Sequence, residues 1–389
     1  ALLAAILAQD IEDVLPVLAH ARDAAVLVED PEEPSFLRFR HALTRQVIYD
    51  DLLVFDKQRL HSRILETLER DGDADGSRLY ALAEHAAAAH DAPRTLRYGE
   101  RAGNAAWALG AFTEAIACFE RALDAATDDG DRARLLELLA FPVTYGGDLR
   151  RAVQLWEEAL AIRMRRAEYV DAARLHQEII CERFHLGDIP DEGEAALALV
   201  TEHARHIRRL TRDSVHALVA CVRSELCHTE TVESLFARIE DAESLPSLTL
   251  QNVVRANLHR AAYEGRVDEW REQLARLMRL APFHENRSVD AYNIVDSLAS
   301  AVTCGLHLNV HRELEEALGR GKEIVSEWGF ERYVHYYDAL DAAYRFTRGR
   351  LSSARALATS ASVDSGYLTS ALVARTAPLL ALALDDDSL

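Results

Sequence analysis

The sequence predicts an all-α protein with one short β-hairpin near its start. Apolar residues recur at helical spacing along most of the 389 residues. A pattern of small residues around a glycine returns at intervals of roughly 40 residues, which indicates repeated pairs of helices rather than one globular core. We therefore expect a small first module over residues 1–70 and a long array of helical pairs over residues 71–389.

The first module is predicted to run helix, helix, strand, loop, strand, helix, which is the order of a winged helix. Residues 1–8 form a short apolar helix, and Asp10 is placed to cap a second one. Residues 24–29 and 36–40 have the composition of half-buried strands, and the loop at 30–35 contains Pro31 and Pro34. From His41 the apolar spacing becomes helical, with a stripe at Leu43, Val47, Ile48 and Leu52.

The repeats are clearest over residues 98–123, where small residues of one helix face a ring on the next. The first helix carries Ala102, Gly103 and Ala106, Gly110 marks the turn, and Phe119 lies on the second helix. Small residues let two helix backbones approach closely. The same pattern recurs, in weaker form, around Gly147, Gly187, Gly265 and Gly349.

Residues 36–65, FLRFRHALTRQVIYDDLLVFDKQRLHSRIL, resemble a family motif. The motif, FRFRHALxRxxxYxxL…RxxLH, closes the winged-helix part of the signal-transducing ATPases in MalT-like, large LuxR-family transcriptional regulators. Gln46 stands where the family more often has Glu. The repeats similarly resemble tetratricopeptide repeats, which implies a right-handed superhelix of helical pairs with a concave face. The residues that match the motif are Phe39, Arg40, His41, Ala42, Leu43, Arg45, Tyr49, Leu52, Leu53, Arg59, Leu60 and His61.

This resemblance implies an ATP-dependent transcriptional regulator, with a nucleotide switch and a helix-turn-helix domain outside this chain. The array would receive a small-molecule effector or a protein partner on its concave face. ATP or ADP would be a cofactor of the full-length protein, and this chain would hold none. Two other functions stay open: the regulatory repeat region of a signalling kinase or cyclase, and a passive scaffold for protein partners.

His41 is the candidate nucleotide sensor. In the related ATPases a histidine at this position contacts the β-phosphate of ADP and helps to hold the resting state. The alternative is a structural residue at the start of a helix, satisfied by the local backbone.

The aromatic residues Trp328, Tyr333, Tyr336, Tyr337 and Tyr344 form a second candidate site. The four tyrosines fall on one face of a predicted helix and Trp328 lies upstream of it; these residues would either pack between repeats or line a groove for an effector or a peptide.

Other patterns are rejected on chemical grounds. His203 with His206, and His307 with His311, have helical spacing but lack the further ligands of a stable metal site, so we expect none. The GRGK sequence from Gly319 to Lys322 is not a phosphate-binding loop, since Glu323 replaces the required hydroxyl.

Charge and composition restrict the partners. A net charge of −20 argues against binding to nucleic acid, so DNA contact would need a separate domain. No apolar run approaches the ~20 residues that span a bilayer. Five scattered cysteines suit a reducing cytoplasm. We expect a cytoplasmic fragment of a larger protein without catalytic activity of its own, and self-association is a further option.

Overall fold

The computed structural model describes residues 2–31, 36–70, 76–186, 192–225, 231–239, 245–280 and 288–361. Within these ranges the chain forms nineteen α-helices and two β-strands. Contacts divide it into two compact units, Ala1–Ala159 and Leu160–Leu389. The prediction of an all-α array that contains one β-hairpin is confirmed.

The first unit begins with the predicted order of elements: α1 (Leu2–Leu7), α2 (Ile11–Asp23), β1 (Leu27–Glu29), β2 (Leu37–Phe39), α3 (Ala42–Asp51) and α4 (Val54–Arg70). The strands are antiparallel, with Val28 opposite Arg38. Asp10 precedes α2 in an extended conformation, but its side chain makes no capping hydrogen bond, so that prediction was wrong. Residues 32–35 of the predicted loop lie outside the described ranges.

The unit continues with α5 (Gly76–Ala88), α6 (Ala92–Ala108), α7 (Phe112–Ala125), α8 (Asp129–Tyr145) and α9 (Leu149–Arg165), the last of which contains the unit boundary. The close approach predicted for the clearest repeat is present between α6 and α7. A Cβ atom at Gly103 would lie 2.6 Å from Cε1 of Phe119, whose ring is buried. The predicted boundary after residue 70 stays a prediction, because residues 71–75 are not described.

The second unit consists of α10 (Tyr169–His185), α11 (Glu192–Glu202), α12 (Arg209–Glu225), α13 (Val232–Phe236), α14 (Ser247–Tyr263), α15 (Val267–Leu280), α16 (Ser288–Gly305), α17 (His311–Trp328), α18 (Glu331–Thr347) and α19 (Leu351–Ala361). Each even-numbered helix from α10 to α16 packs on the next even-numbered helix. Each even-numbered helix from α10 to α18 also packs on the odd-numbered helix that follows it. The even-numbered helices therefore form one continuous layer.

Glycines end the turns as the repeat pattern predicted. Gly110, Gly147, Gly265 and Gly349 have φ values of +73°, +93°, +69° and +71°, a left-handed region that a side chain disfavours. The predicted repeat at Gly187 lies outside the described ranges.

Helices α17 and α18 approach closely at Gly321, and this contact generates a stability prediction. A Cβ atom at Gly321 would overlap the buried ring of Tyr337, whose hydroxyl donates to the Val295 carbonyl at 2.7 Å. Gly319, on the same helix, has no atom within 4 Å of the corresponding position.

We expect Gly321→Ala to destabilise the second unit by about 1–3 kcal/mol, because the methyl group must displace a ring in a filled core. Gly319→Ala is the matched control and should stabilise α17 by about 0.4–1 kcal/mol, since alanine is the better helix former. Denaturant unfolding of both variants checks the packing. Equal midpoints for the two variants would contradict it.

Candidate functional site

A buried ionic cluster joins three helices of the even-numbered layer. Arg255 of α14 donates from Nη2 to Oε1 of Glu225 on α12 at 2.6 Å, and from Nη1 to Oδ2 of Asp296 on α16 at 2.7 Å. The Arg255, Glu225 and Asp296 side chains are only 13%, 8% and 11% exposed. A charge-assisted pair at this depth is strong only because both ends are satisfied.

The cluster continues through His259 and Ser300. Ser300 donates its hydroxyl proton to Oε1 of Glu225 at 2.8 Å, and its Oγ lies 2.8 Å from Nε2 of His259. Because serine has one proton to give, His259 must donate from Nε2, which fixes its tautomer. Burial lowers the pKa of His259 despite the nearby Glu225 charge. A neutral imidazole therefore completes this side of the cluster.

His185 of α10 extends the cluster to a fourth helix. Its Nε2 lies 3.5 Å from Oδ1 of Asp296, and its Nδ1 lies 3.4 Å from Oε2 of Glu182. Burial opposes the charged imidazole, but the bonds to Asp296 and Glu182 outweigh it and raise the pKa of His185 to about 9. His185 is thus a cation at neutral pH and balances the carboxylate excess.

Glu178 lies one turn before Glu182. It has no ion pair comparable to that between Arg255 and Glu225. Burial, helped by the Glu182 charge, raises the pKa of Glu178 to about 7. The Arg255 guanidinium overcomes burial at Glu225 and holds the pKa of that carboxyl below its usual value. The two glutamates therefore differ in charge state near neutrality, because Arg255 bonds directly to Glu225 whereas burial outweighs the Arg174 charge at Glu178.

The arrangement supports helix pairing better than catalysis. Burial raises the pKa of the thiols of Cys181 and Cys221, and that of Cys304 to about 12, so they stay protonated and are poor nucleophiles. Among the described residues no group of three or more His, Cys, Asp or Glu side chains is placed to hold a metal ion.

The histidine pairs considered as metal ligands are engaged elsewhere. His203 stacks on Tyr169 with ring centroids 3.6 Å apart. Nε2 of His307 lies 2.9 Å from the Ala262 carbonyl, and Nε2 of His311 lies 2.6 Å from Nη1 of Arg348. These contacts explain the helical spacing of the pairs without a metal.

His41 lies where the motif placed it, between β2 and α3. Its backbone is extended, the residue is exposed, and its ring makes no capping hydrogen bond to α3. Of the predicted apolar stripe, Leu43, Val47 and Ile48 are exposed and Leu52 is half-buried, and α3 itself buries no residue. Large apolar side chains from this region, 68–79% exposed, are Leu43, Val47, Leu53, Val54 and Phe55.

The aromatic stripe lies in the core of the second unit. Tyr333, Tyr336, Tyr337 and Tyr344 are at most 8% exposed and belong to one hydrophobic cluster, which Trp328 borders. These positions fit the core alternative stated for the stripe rather than an open groove. Tyr344 also lines a cavity beside α17.

Comparisons with known proteins give only distant similarity. No family model matches the chain, and no curated protein matches it. Similar solved structures include BtubC from P. vanneervenii, with 16% identity, a TM-score of 0.31, and coverage of 72% of this chain and 93% of that one. They also include a signal-transduction ATPase with a tetratricopeptide repeat sensor from Pyrococcus horikoshii, with 13% identity, a TM-score of 0.41, and coverage of 99% and 57% respectively. Neither overlap is close enough to define the fold or the function. No described helix is long and apolar enough to cross a membrane.

The ionic cluster was not predicted from the sequence, although the sequence contains an indication of it. Arg255 and His259 are four residues apart within the largely apolar helix α14, and Glu182 and His185 are three apart near the end of α10. Charged residues inside an apolar stripe indicate buried pairing. The partners of Arg255, which are Glu225 and Asp296, lie 30 and 41 residues away from it along the chain. Helical periodicity does not reveal contacts over such separations.

We expect Arg255→Met to destabilise the second unit by about 3–5 kcal/mol, because it leaves Glu225 buried without a cation and Asp296 with His185 alone. Arg271→Met is the control: Arg271 also joins two helices, through Glu313 at 2.8 Å, but it is 43% exposed and should contribute at most about 1 kcal/mol. Urea unfolding at neutral pH compares the two variants. A loss at Arg255 no larger than that at Arg271 would contradict a buried network.

The same cluster predicts two pH windows. The folded-state pKa of His185 is about 9 against an ordinary 6.5, so its stabilisation is complete below 6.5 and is lost as the pH rises through 9. The pKa of Glu178 is raised from 4.5 to about 7, so ionisation of this group costs stability as the pH rises from 4.5 to 7.

His185→Gln should therefore abolish the loss of stability between pH 6.5 and pH 9. It should keep the loss between pH 4.5 and pH 7, which comes from Glu178. Each window corresponds to a change on the order of 1–3 kcal/mol in the free energy of unfolding. Unfolding curves collected from pH 5 to pH 9.5 test this. A variant that still loses stability above pH 7 as steeply as the parent would show that another group titrates there.

Proposed function

We propose that this chain is the effector- or partner-sensing region of an ATP-dependent regulator of the MalT-like, large LuxR type. It performs no catalysis itself. A nucleotide-binding domain and a DNA-binding domain belong to other parts of the intact protein, which acts in the cytoplasm. The observation that carries the proposal is the exposed apolar surface that follows His41.

That surface has the properties of an interface. Five large apolar side chains from residues 43–55 are at least 68% exposed, and α3 buries no residue against the chain. Large exposed apolar surfaces on a protein commonly mark sites where another surface binds. We assign the nucleotide-binding domain as the occupant, because the motif around His41 resembles the segment that faces the nucleotide in the related ATPases.

Two further observations support a regulatory rather than an enzymatic role. The helical pairs of the second unit are held by a saturated ionic cluster, and its cysteine thiols stay protonated. The net charge of −20 disfavours contact with a phosphate backbone, so DNA recognition is assigned to a separate domain. An effector that binds the array changes the switch only if its affinity differs between the two states.

His41→Ala in the intact regulator should raise basal transcription and speed ADP release. A hydrogen bond from imidazole to a phosphate oxygen is charge-assisted and contributes about 1.5–3 kcal/mol, so its loss should shift the resting population about tenfold or more. His20→Ala changes another exposed histidine of the same module and serves as the control. Unchanged ADP retention together with unchanged basal output would make His41 an ordinary surface residue.

A further inference from the structure

Helices α17 and α18 and the residue before α19 line a partly open cavity of about 210 Å³. Pockets for drug-sized ligands measure roughly 300–1,000 Å³, so this cavity suits a smaller molecule. It holds the volume of about seven waters. Its polar lining comes from Glu315 and Lys322 of α17, from Asp341, Tyr344 and Arg345 of α18, and from Arg350.

The lining carries more positive than negative charge, in a chain whose net charge is −20. Lys322 and Arg345 share one carboxylate: Nζ of Lys322 lies 2.7 Å from Oδ2 of Asp341, and Nε of Arg345 lies 2.8 Å from Oδ1. Lys322 also reaches Asp338 at 3.3 Å. The two cations and the two carboxylates, Asp338 and Asp341, therefore balance in charge.

Arg350 is different, because its guanidinium has no ion pair or hydrogen bond with any described residue. Its charge acts on the hydroxyl of Tyr344. Burial and the hydrogen bond to Glu315 raise the pKa of Tyr344, and the Arg348 and Arg350 charges oppose that rise. Arg348 is engaged with His311 at 2.6 Å. Arg350 is therefore the cation of this cavity that is free to bind an anion.

The lining also offers a hydrogen-bond acceptor. Tyr344 donates to Oε1 of Glu315 at 2.9 Å, which holds this carboxylate in place and leaves Oε2 without a partner in the described structure. A carboxylate oxygen accepts hydrogen bonds from hydroxyl groups. The cavity thus combines a free guanidinium with a free acceptor.

The geometry points to a binding site for a small hydroxylated anion. Its phosphate or carboxylate group pairs with Arg350, and a hydroxyl group donates to Glu315. A guanidinium recognises both oxyanions through paired N–H donors, so the two chemistries share this site. Its use as the effector site rests on the proposed function, whereas the binding itself does not.

Two matched probes and one neutral analogue test the site by calorimetry on the full chain at constant ionic strength. Glycerol 3-phosphate and glycerate share a hydroxylated skeleton and differ in the anionic group, and glycerol lacks the anion. We expect at least one of the two anions to bind and glycerol to give no heat. The anion that binds more tightly identifies the source as a phosphate ester or a carboxylic acid.

Arg350→Gln should weaken binding of that anion about tenfold or more, because a charge-assisted hydrogen bond is lost. Arg320→Gln removes the same charge from the exposed part of α17, where Arg320 pairs with Glu323 at 3.1 Å, and should leave the affinity unchanged. Arg350→Lys should retain part of the affinity.

Failure of both anions to bind the parent chain would overturn the site. Equal weakening by Arg350→Gln and Arg320→Gln would also overturn it, because general charge attraction would then explain the binding. If the anion binds here but leaves nucleotide release by the intact regulator unchanged, the site stands and the proposed function fails. If His41→Ala behaves as expected while no anion binds, the proposed function stands alone.

Discussion

The guanidinium of Arg255 between Glu225 and Asp296 is the interaction on which the second unit most depends. These residues lie on α12, α14 and α16, so one cation ties three successive helices of the even-numbered layer. Apolar packing alone tolerates small shifts along a helix, whereas a buried charge without its partner is costly. The ionic cluster therefore restricts how the helices pair, in addition to the burial of apolar side chains around Trp270 and Tyr337.

Close packing of small residues provides the second constraint. Gly103 against Phe119 in the first unit, and Gly321 against Tyr337 in the second, place a ring where any Cβ atom would collide. Each pair joins two helices that are consecutive along the chain. The sequence predicted the first pair from the local spacing of small residues. It did not predict the second, because Gly321 was considered only as part of a rejected phosphate loop.

The sequence was informative wherever the controlling physics is local. Alternation in residues 36–40 predicted the second hairpin strand, and glycines at 110, 147, 265 and 349 predicted turns whose φ values are positive. Contacts between residues 30 to 41 positions apart, such as those of Arg255, have no local signature. The exposure of α3 was equally hidden, since an apolar stripe has the same pattern whether its own chain or another domain covers it.

The proposed function rests on an exposed surface, and the further inference rests on a cavity. They belong to different compact units. The apolar surface after His41 lies in the first unit, and we propose that a nucleotide-binding domain covers it. The cavity beside Arg350 lies in the second and is assigned to a small anion. Coupling between two such sites requires a structural element that can adopt two arrangements. Packed helices change between discrete arrangements rather than by continuous deformation.

Native-state hydrogen exchange on the full chain tests most directly whether the Arg255 cluster organises the second unit. The account predicts that slowly exchanging amides of α12, α14 and α16 open together, with one common free energy that is the highest between residues 160 and 361. If α16 opened at a clearly lower free energy than α12 and α14, the ionic cluster would not hold these helices as one unit, and the account would be wrong.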